Sequence, residues 1–435
     1  MHLAIHPSRL LTQEARSLLT RLDRVKPFAL QMTSVLAAAV SPGAQTAIET
    51  YMAGCRRQLR KTVIEFLRWL GGEGAKASPV EAQRRFTILR IRFNTVLSHF
   101  DIYSDVLVQR SEHEFGVWLG GLDIVAADAL ELPGYYEVPP VVCYLDRGHG
   151  AAIRRARTRL PGGGENPVAV IRIPRERMVG SGIASSLVHE VGHQVAALLD
   201  LVNSLRPVLK GMQMKRGPEQ AAWRIWERCI SEIVADFWAV AKVGIAATTG
   251  LIGVVSLPRA FVFRIALDDP HPFPWIRVKL SCAMGDALFP HPQWQQMARL
   301  WESFYPTADL EDDRKQIIQL LESTLPSFIS LIVNHRPKAL RGASVVEALN
   351  VNERQPARLA ALFERWKRFP REMRSAPPTL CFAVLGQARL DGHLDPEAES
   401  RWLADLLTYW ALRGTLDMSA LCASQAQAHI SAPKI

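Results

Sequence analysis

The segment Leu187–Leu199 reads LVHEVGHQVAALL. Leu187, Val188, Val191, Val195, Leu198 and Leu199 recur at helical spacing, which predicts a helix with an apolar face set in a core. His189, Glu190 and His193 stand in the middle of it. Residues four apart on a helix share a face one turn apart, so the two imidazoles stand where they can grip one cation. Glu190 points about 100° further round the helix, away from the coordination position and within reach of a water at the cation. This is the H-E-x-x-H arrangement, two metal ligands and a general base. An ionised carboxylate in so apolar a setting costs several kcal/mol unless it is paired. One zinc ion per chain is therefore the expected cofactor.

A catalytic zinc site takes three protein ligands and keeps one position open. A third histidine six residues past His193 is ruled out, because that position is Leu199, and Asp200 points away from a compact site. Downstream, Glu227–Gly244 reads ERCISEIVADFWAVAKVG. Glu232 and Asp236 are again four apart, surrounded by Ile233, Val234, Phe237, Trp238 and Val240. Two carboxylates on one face of a buried helix need a cation or hydrogen-bond donors. Glu232 is the expected third ligand. Asp236 is expected to accept from the free ring nitrogen of a ligand histidine and so fix its tautomer. Glu227 lies in a more polar stretch and is set aside.

His189-Glu190-x-Gly192-His193 followed by Glu232-x-x-x-Asp236 resembles the gluzincin branch of zinc metallopeptidases, over roughly Val138 to Ala287. The resemblance implies a zincin-like catalytic core, with an edge strand above the cleft, an active-site helix and a second helix that brings the glutamate. Pro167–Pro174, PVAVIRIP, is where that edge strand would run beside an extended peptide substrate. It also implies peptide-bond hydrolysis by a metal-activated water with Glu190 as base; an endopeptidase is favoured over an exopeptidase, though the sequence does not decide between them. The family often carries Asn before the ligand glutamate; here the residue is Ser231. Related peptidases carry a His-Pro…Arg element after the glutamate helix, matched here by Asp268–Val278, DDPHPFPWIRV. In that setting His271 would donate to the oxyanion of a tetrahedral intermediate, and Arg277 would anchor a carboxylate or the fold. A proline-braced turn with an exposed histidine is the other reading of the same residues.

The remainder bounds the class. The 435 residues are 48% hydrophobic and 22% charged, an ordinary globular composition long enough for more than one domain. The fold expected is mainly α within an α+β class, with helical regions at residues 1–132 and 288–435 flanking a catalytic core at 133–287. Val138–Asp146 and Pro167–Pro174 read as strands, and the Pro161–Pro167 loop between them, PGGGENP, matches no phosphate-binding pattern. The net charge of +10 comes from scattered basic runs without aromatic interleaving, so a nucleic-acid partner is not expected. The six cysteines form no CxxC pair, as suits free thiols. Val243–Pro258 lacks charge but is too short to cross a bilayer, and no signal peptide is seen, so a cytoplasmic chain without a membrane span is expected. The partner expected is a protein or peptide substrate; the oligomeric state is left open. Two other classes stay open, a non-catalytic zinc-containing binding or scaffold protein and a zinc hydrolase of a non-peptide amide.

Overall fold

Serine followed by proline starts the two longest helices of the N-terminal region. Ser41 caps α2 (Pro42–Gly71) by accepting from the Ala44 N–H, and Ser78 caps α3 (Pro79–Val108) by accepting from the Glu81 N–H. Proline at the first helical position has no N–H to lose and a φ already suited to the helix. With α1 (Pro7–Arg24) before them, these helices bury a continuous apolar seam. Leu11, Leu18 and Leu22 meet Ile48, Met52, Leu59 and Val63, and Phe86, Phe93, Val96 and Phe100 complete the cluster. The computed structural model describes residues 6–24, 35–111, 113–147, 150–160, 164–175, 180, 182–214, 217–266, 268–349 and 351–431. Met1–Ile5 and Pro161–Gly163, read above for targeting and phosphate-binding features, lie outside them.

Contacts group the chain into two compact units. One holds Met1–Leu119, Pro140–Tyr144 and Arg154–Val170, and the other holds Gly120–Pro139, Leu145–Ile153 and Ile171–Ile435. Beyond α4 (His113–Leu130), the strands β1 (Val141–Asp146), β2 (Ala152–Arg154) and β3 (Ala169–Pro174) form a three-stranded sheet in the order β1-β3-β2. The protein is thus mainly helical with one small sheet. The order corrects one expectation: the PVAVIRIP strand is central, not an edge. Its buried Ala169, Val170, Ile171 and Ile173 suit a strand flanked on both sides, whereas three-residue β2 is too short to show any alternation in the sequence.

The second unit continues through α5 (Gly182–Leu198), α6 (Leu201–Gln213), α7 (Gln220–Arg228), α8 (Ile230–Val243) and α9 (Ile245–Val255). After them come α10 (Arg259–Val262), α11 (Pro274–Leu288), α12 (Pro292–Phe304), α13 (Asp312–Asn334) and α14 (Val345–Leu349). It ends with α15 (Pro356–Arg368), α16 (Pro370–Ser375), α17 (Pro378–Leu390) and α18 (Pro396–Ser431), the last started by Asp395 accepting from the Ala398 N–H. Helix α8 is buried almost throughout. The charge-free segment forms α9, about 16 Å long and so short of a bilayer core. It is separated from α8 by Gly244, whose φ of 58° an L side chain rarely adopts. Among the described residues, only α13 is long and apolar enough to cross a membrane by length and composition. Its Phe328 is fully buried and stacks on Trp226 at 4.7 Å, and its Thr324 accepts from the Trp226 indole N–H at 2.9 Å. Among the described residues five cysteines are free thiols; Cys143, Cys229, Cys282 and Cys381 are buried, and Cys55 is half-buried.

Candidate metal centre

Helix α5 carries His189, Glu190 and His193 into the second unit, and α8 packs across it. The approach is set by Gly192. A Cβ there would lie 2.7 Å from Ala235 Cα and 2.8 Å from Ala235 O, so the two backbones meet where any side chain would hold them apart. The close contact brings Glu232, one turn before Asp236, level with the histidines.

Glu232 Oε2 is the focus. It lies 3.2 Å from His189 Nε2, 3.4 Å from His193 Nε2 and 3.0 Å from His271 Nε2. The donor atoms of His189, His193 and Glu232 lie within 4.8 Å of one another, a group that could hold a metal ion. The imidazole planes of His189 and His193 are nearly perpendicular, 4.9 Å between centroids, while His271 lies roughly parallel to His189 at 6.5 Å.

The other ring nitrogens are held from outside. His189 Nδ1 is 2.7 Å from Asp236 Oδ1, so Nδ1–H donates to that carboxylate and Nε2 is turned toward Glu232. Asp236 is fixed in turn by Arg277, whose Nε donates to Oδ2 at 2.7 Å and whose Nη2 donates to Oδ1 at 2.8 Å. Arg277 therefore holds the Asp236 carboxylate. His271 is half-buried, and its Nδ1 is 2.8 Å from Asp269 Oδ1, which also accepts from the His271 backbone N–H at 2.9 Å. Ser231 Oγ lies 3.5 Å from His193 Nδ1, at the outer limit of a hydrogen bond.

The charges follow. Burial alone would raise the Asp236 carboxyl and lower the His189 imidazolium, but Arg277 and His189 hold Asp236 well below the usual carboxylate range, and Asp236 holds His189 up at about 9. Burial likewise opposes ionised Glu232, and hydrogen bonds from the three imidazoles override it downward. Glu190 is 7% exposed, and burial pushes its carboxyl above the ordinary value. Deprotonated at Nε2, His189 and His193 would place two ring nitrogens beside the Glu232 carboxylate, a donor set that fits a divalent metal.

No family model, curated protein or solved structure matches this chain. The centre thus rests on its own geometry. His189, Glu190, His193, Glu232, Asp236, His271 and Arg277 are all brought together. Glu227 is not among them; it faces Arg206 at 3.4 Å. Nor is Asp200, which sits at the α5–α6 junction with φ 52° and accepts from Asn203. Asp269 went unnoticed in the sequence. Asp-Pro-His is a turn signature in which the aspartate bonds the backbone two residues on, and that signal was available.

Proposed function

We propose that the chain is a zinc-dependent peptidase, with the His189–His193–Glu232 group as the metal site of a zincin-like core of the gluzincin kind. The observation that carries the reading is Glu190. A buried carboxylate with a raised pKa, beside a ready metal-ligand set, has no purpose at a closed structural site and suits a general base.

His189, His193 and Glu232 would hold the ion. When bound, zinc supplies Lewis-acid activation of a carbonyl and of water. Glu190 takes a proton from the attacking water on its carboxylate and passes it to the leaving amine nitrogen. His271, braced at Nδ1 by Asp269, would turn its Nε2–H from Glu232 to the carbonyl oxygen as negative charge develops on it. Asp236 and Arg277 keep the His189 ring in the orientation that turns Nε2 toward Glu232 and the proposed metal position.

Glu190→Gln tests the reading. The variant should bind one zinc per chain and lose about 10²- to 10⁴-fold in peptide hydrolysis, the share a positioned base supplies. Metal content by emission spectroscopy and cleavage of a denatured-protein panel read the two effects separately. A Gln variant as active as the parent would remove Glu190 from the mechanism, and a parent that binds zinc but cleaves nothing in the panel would overturn the peptidase assignment.

A further inference from the structure

The cavity beside His271 holds about 440 Å³ and is lined by Arg228, Leu257, Phe261, Arg264 and Phe273 together with His271 itself. That volume falls within the usual range of built ligand sites, about 300–1,000 Å³. We infer that it is a substrate subsite that takes a carboxylate, recognised by Arg228. The inference rests on the peptidase reading above and names what one position of the substrate carries.

Arg228 is the last residue of α7, one before the helix break at Cys229 and four before Glu232. The break delivers its guanidinium to the cavity at a fixed offset from the metal-ligand group. Its Nε is buried and has no hydrogen-bond partner. The guanidinium does meet the Cys229 thiol, a weak acceptor. Among the described residues, no carboxylate lies within ion-pair distance of Arg228, nor of the exposed Arg264 on the same cavity. The two acids on the wall are placed otherwise: Asp269 is spent on His271, and Asp268 is exposed. No carboxylate of the described residues neutralises the Arg228 guanidinium that lines the cavity, and a planar guanidinium is shaped for a carboxylate. Leu257, Phe261 and Phe273 give the apolar wall that the methylene stem of such a group would lie against. A substrate whose scissile carbonyl reaches His271 Nε2 sets a neighbouring residue in this cavity. The carboxylate is either an acidic side chain or the substrate's own C-terminus.

The test is a series of octapeptides with one Glu moved through an otherwise neutral sequence, each matched to its Gln counterpart, with free and amidated C-termini, on zinc-loaded protein. The expected result is a kcat/KM ratio favouring the carboxylate by about ten- to hundredfold at one position only, the scale of a hydrogen bond to a charged group. A preference for Glu over Gln assigns the side chain; a preference for free over amidated ends assigns the terminus. Arg228→Gln should bring that ratio to about one, and Arg228→Lys should restore part of it. The ratio compares two substrates on the same preparation, so partial loss of folded protein cancels. Neutral peptides cleaved with a ratio near one at every position would overturn the subsite alone, and a preference that survives in Arg228→Gln would overturn the role of Arg228. If no peptide in the series is hydrolysed, the peptidase reading falls and this inference falls with it.

Discussion

Asp236 is the residue on which the ligand geometry turns, because it answers to two cations at once. One oxygen accepts a hydrogen bond from His189 Nδ1–H while both oxygens face Arg277. Asp236→Asn keeps the shape but removes the charge, and leaves Arg277 buried without its counter-ion. Zinc affinity should fall about 10- to 100-fold, the usual effect of losing a partner behind a ligand, as read by competition with a chromogenic chelator; unchanged affinity would show that the aspartate does not set the ring. A second buried cation gives a pH prediction. Lys242 is 8% exposed and donates to the carbonyls of Asp128 and Glu131, where α4 ends. Burial pushes its pKa down to about 8, against an attraction from Asp128. Between pH 8 and the ordinary lysine value the unfolded chain holds the proton and the folded one does not, so stability rises with pH through that window, by on the order of 3 kcal/mol. Chemical denaturation at pH 7.5 and 10 should show this rise in the parent and not in Lys242→Met. The residues of the candidate metal group could be picked out one by one because i, i+4 pairs of polar groups inside apolar runs are conspicuous. The Asp236–Arg277 and Asp269–His271 pairings were not, since one joins separate helices and the other sits in a proline-rich turn.

At the level of elements, the centre depends on α5 and α8 lying backbone to backbone. Gly192→Ala would gain helix propensity of up to ~1 kcal/mol, yet its methyl would sit 2.7 Å from Ala235 Cα with no flexible side chain to yield. The overpacking cost, about 1–3 kcal/mol, decides the sign. We expect net destabilisation in urea and weaker zinc binding, both measured on one preparation; a more stable variant with full affinity would show that the helix contact is not what places Glu232. The helices themselves could be read from periodicity: Leu187–Leu199 falls on α5 and its short extension, and Glu232 and Asp236 lie on α8 as spaced. The sheet could be read only in part. Two strands stood out by composition, but their order depends on β2, whose three residues leave no pattern to read.

For the whole molecule, an ion that binds only the folded chain must stabilise it. Zinc at 100 times its dissociation constant adds about 2.7 kcal/mol, so a chelator should lower the Tm and added zinc should restore it; a Tm indifferent to both would mean that the described ligand group binds no metal. The buried thiols give a further handle. Cys143 lies in the first unit, and Cys229, Cys282 and Cys381 lie in the second, all shielded from solvent. A disulfide reagent can reach them only when the surrounding structure opens, so the rate at which each is labelled measures the free energy of that opening. The protein thus carries built-in reporters in both units, and peptide mapping after timed labelling would follow the unfolding of each without an added fluorophore or a single substitution.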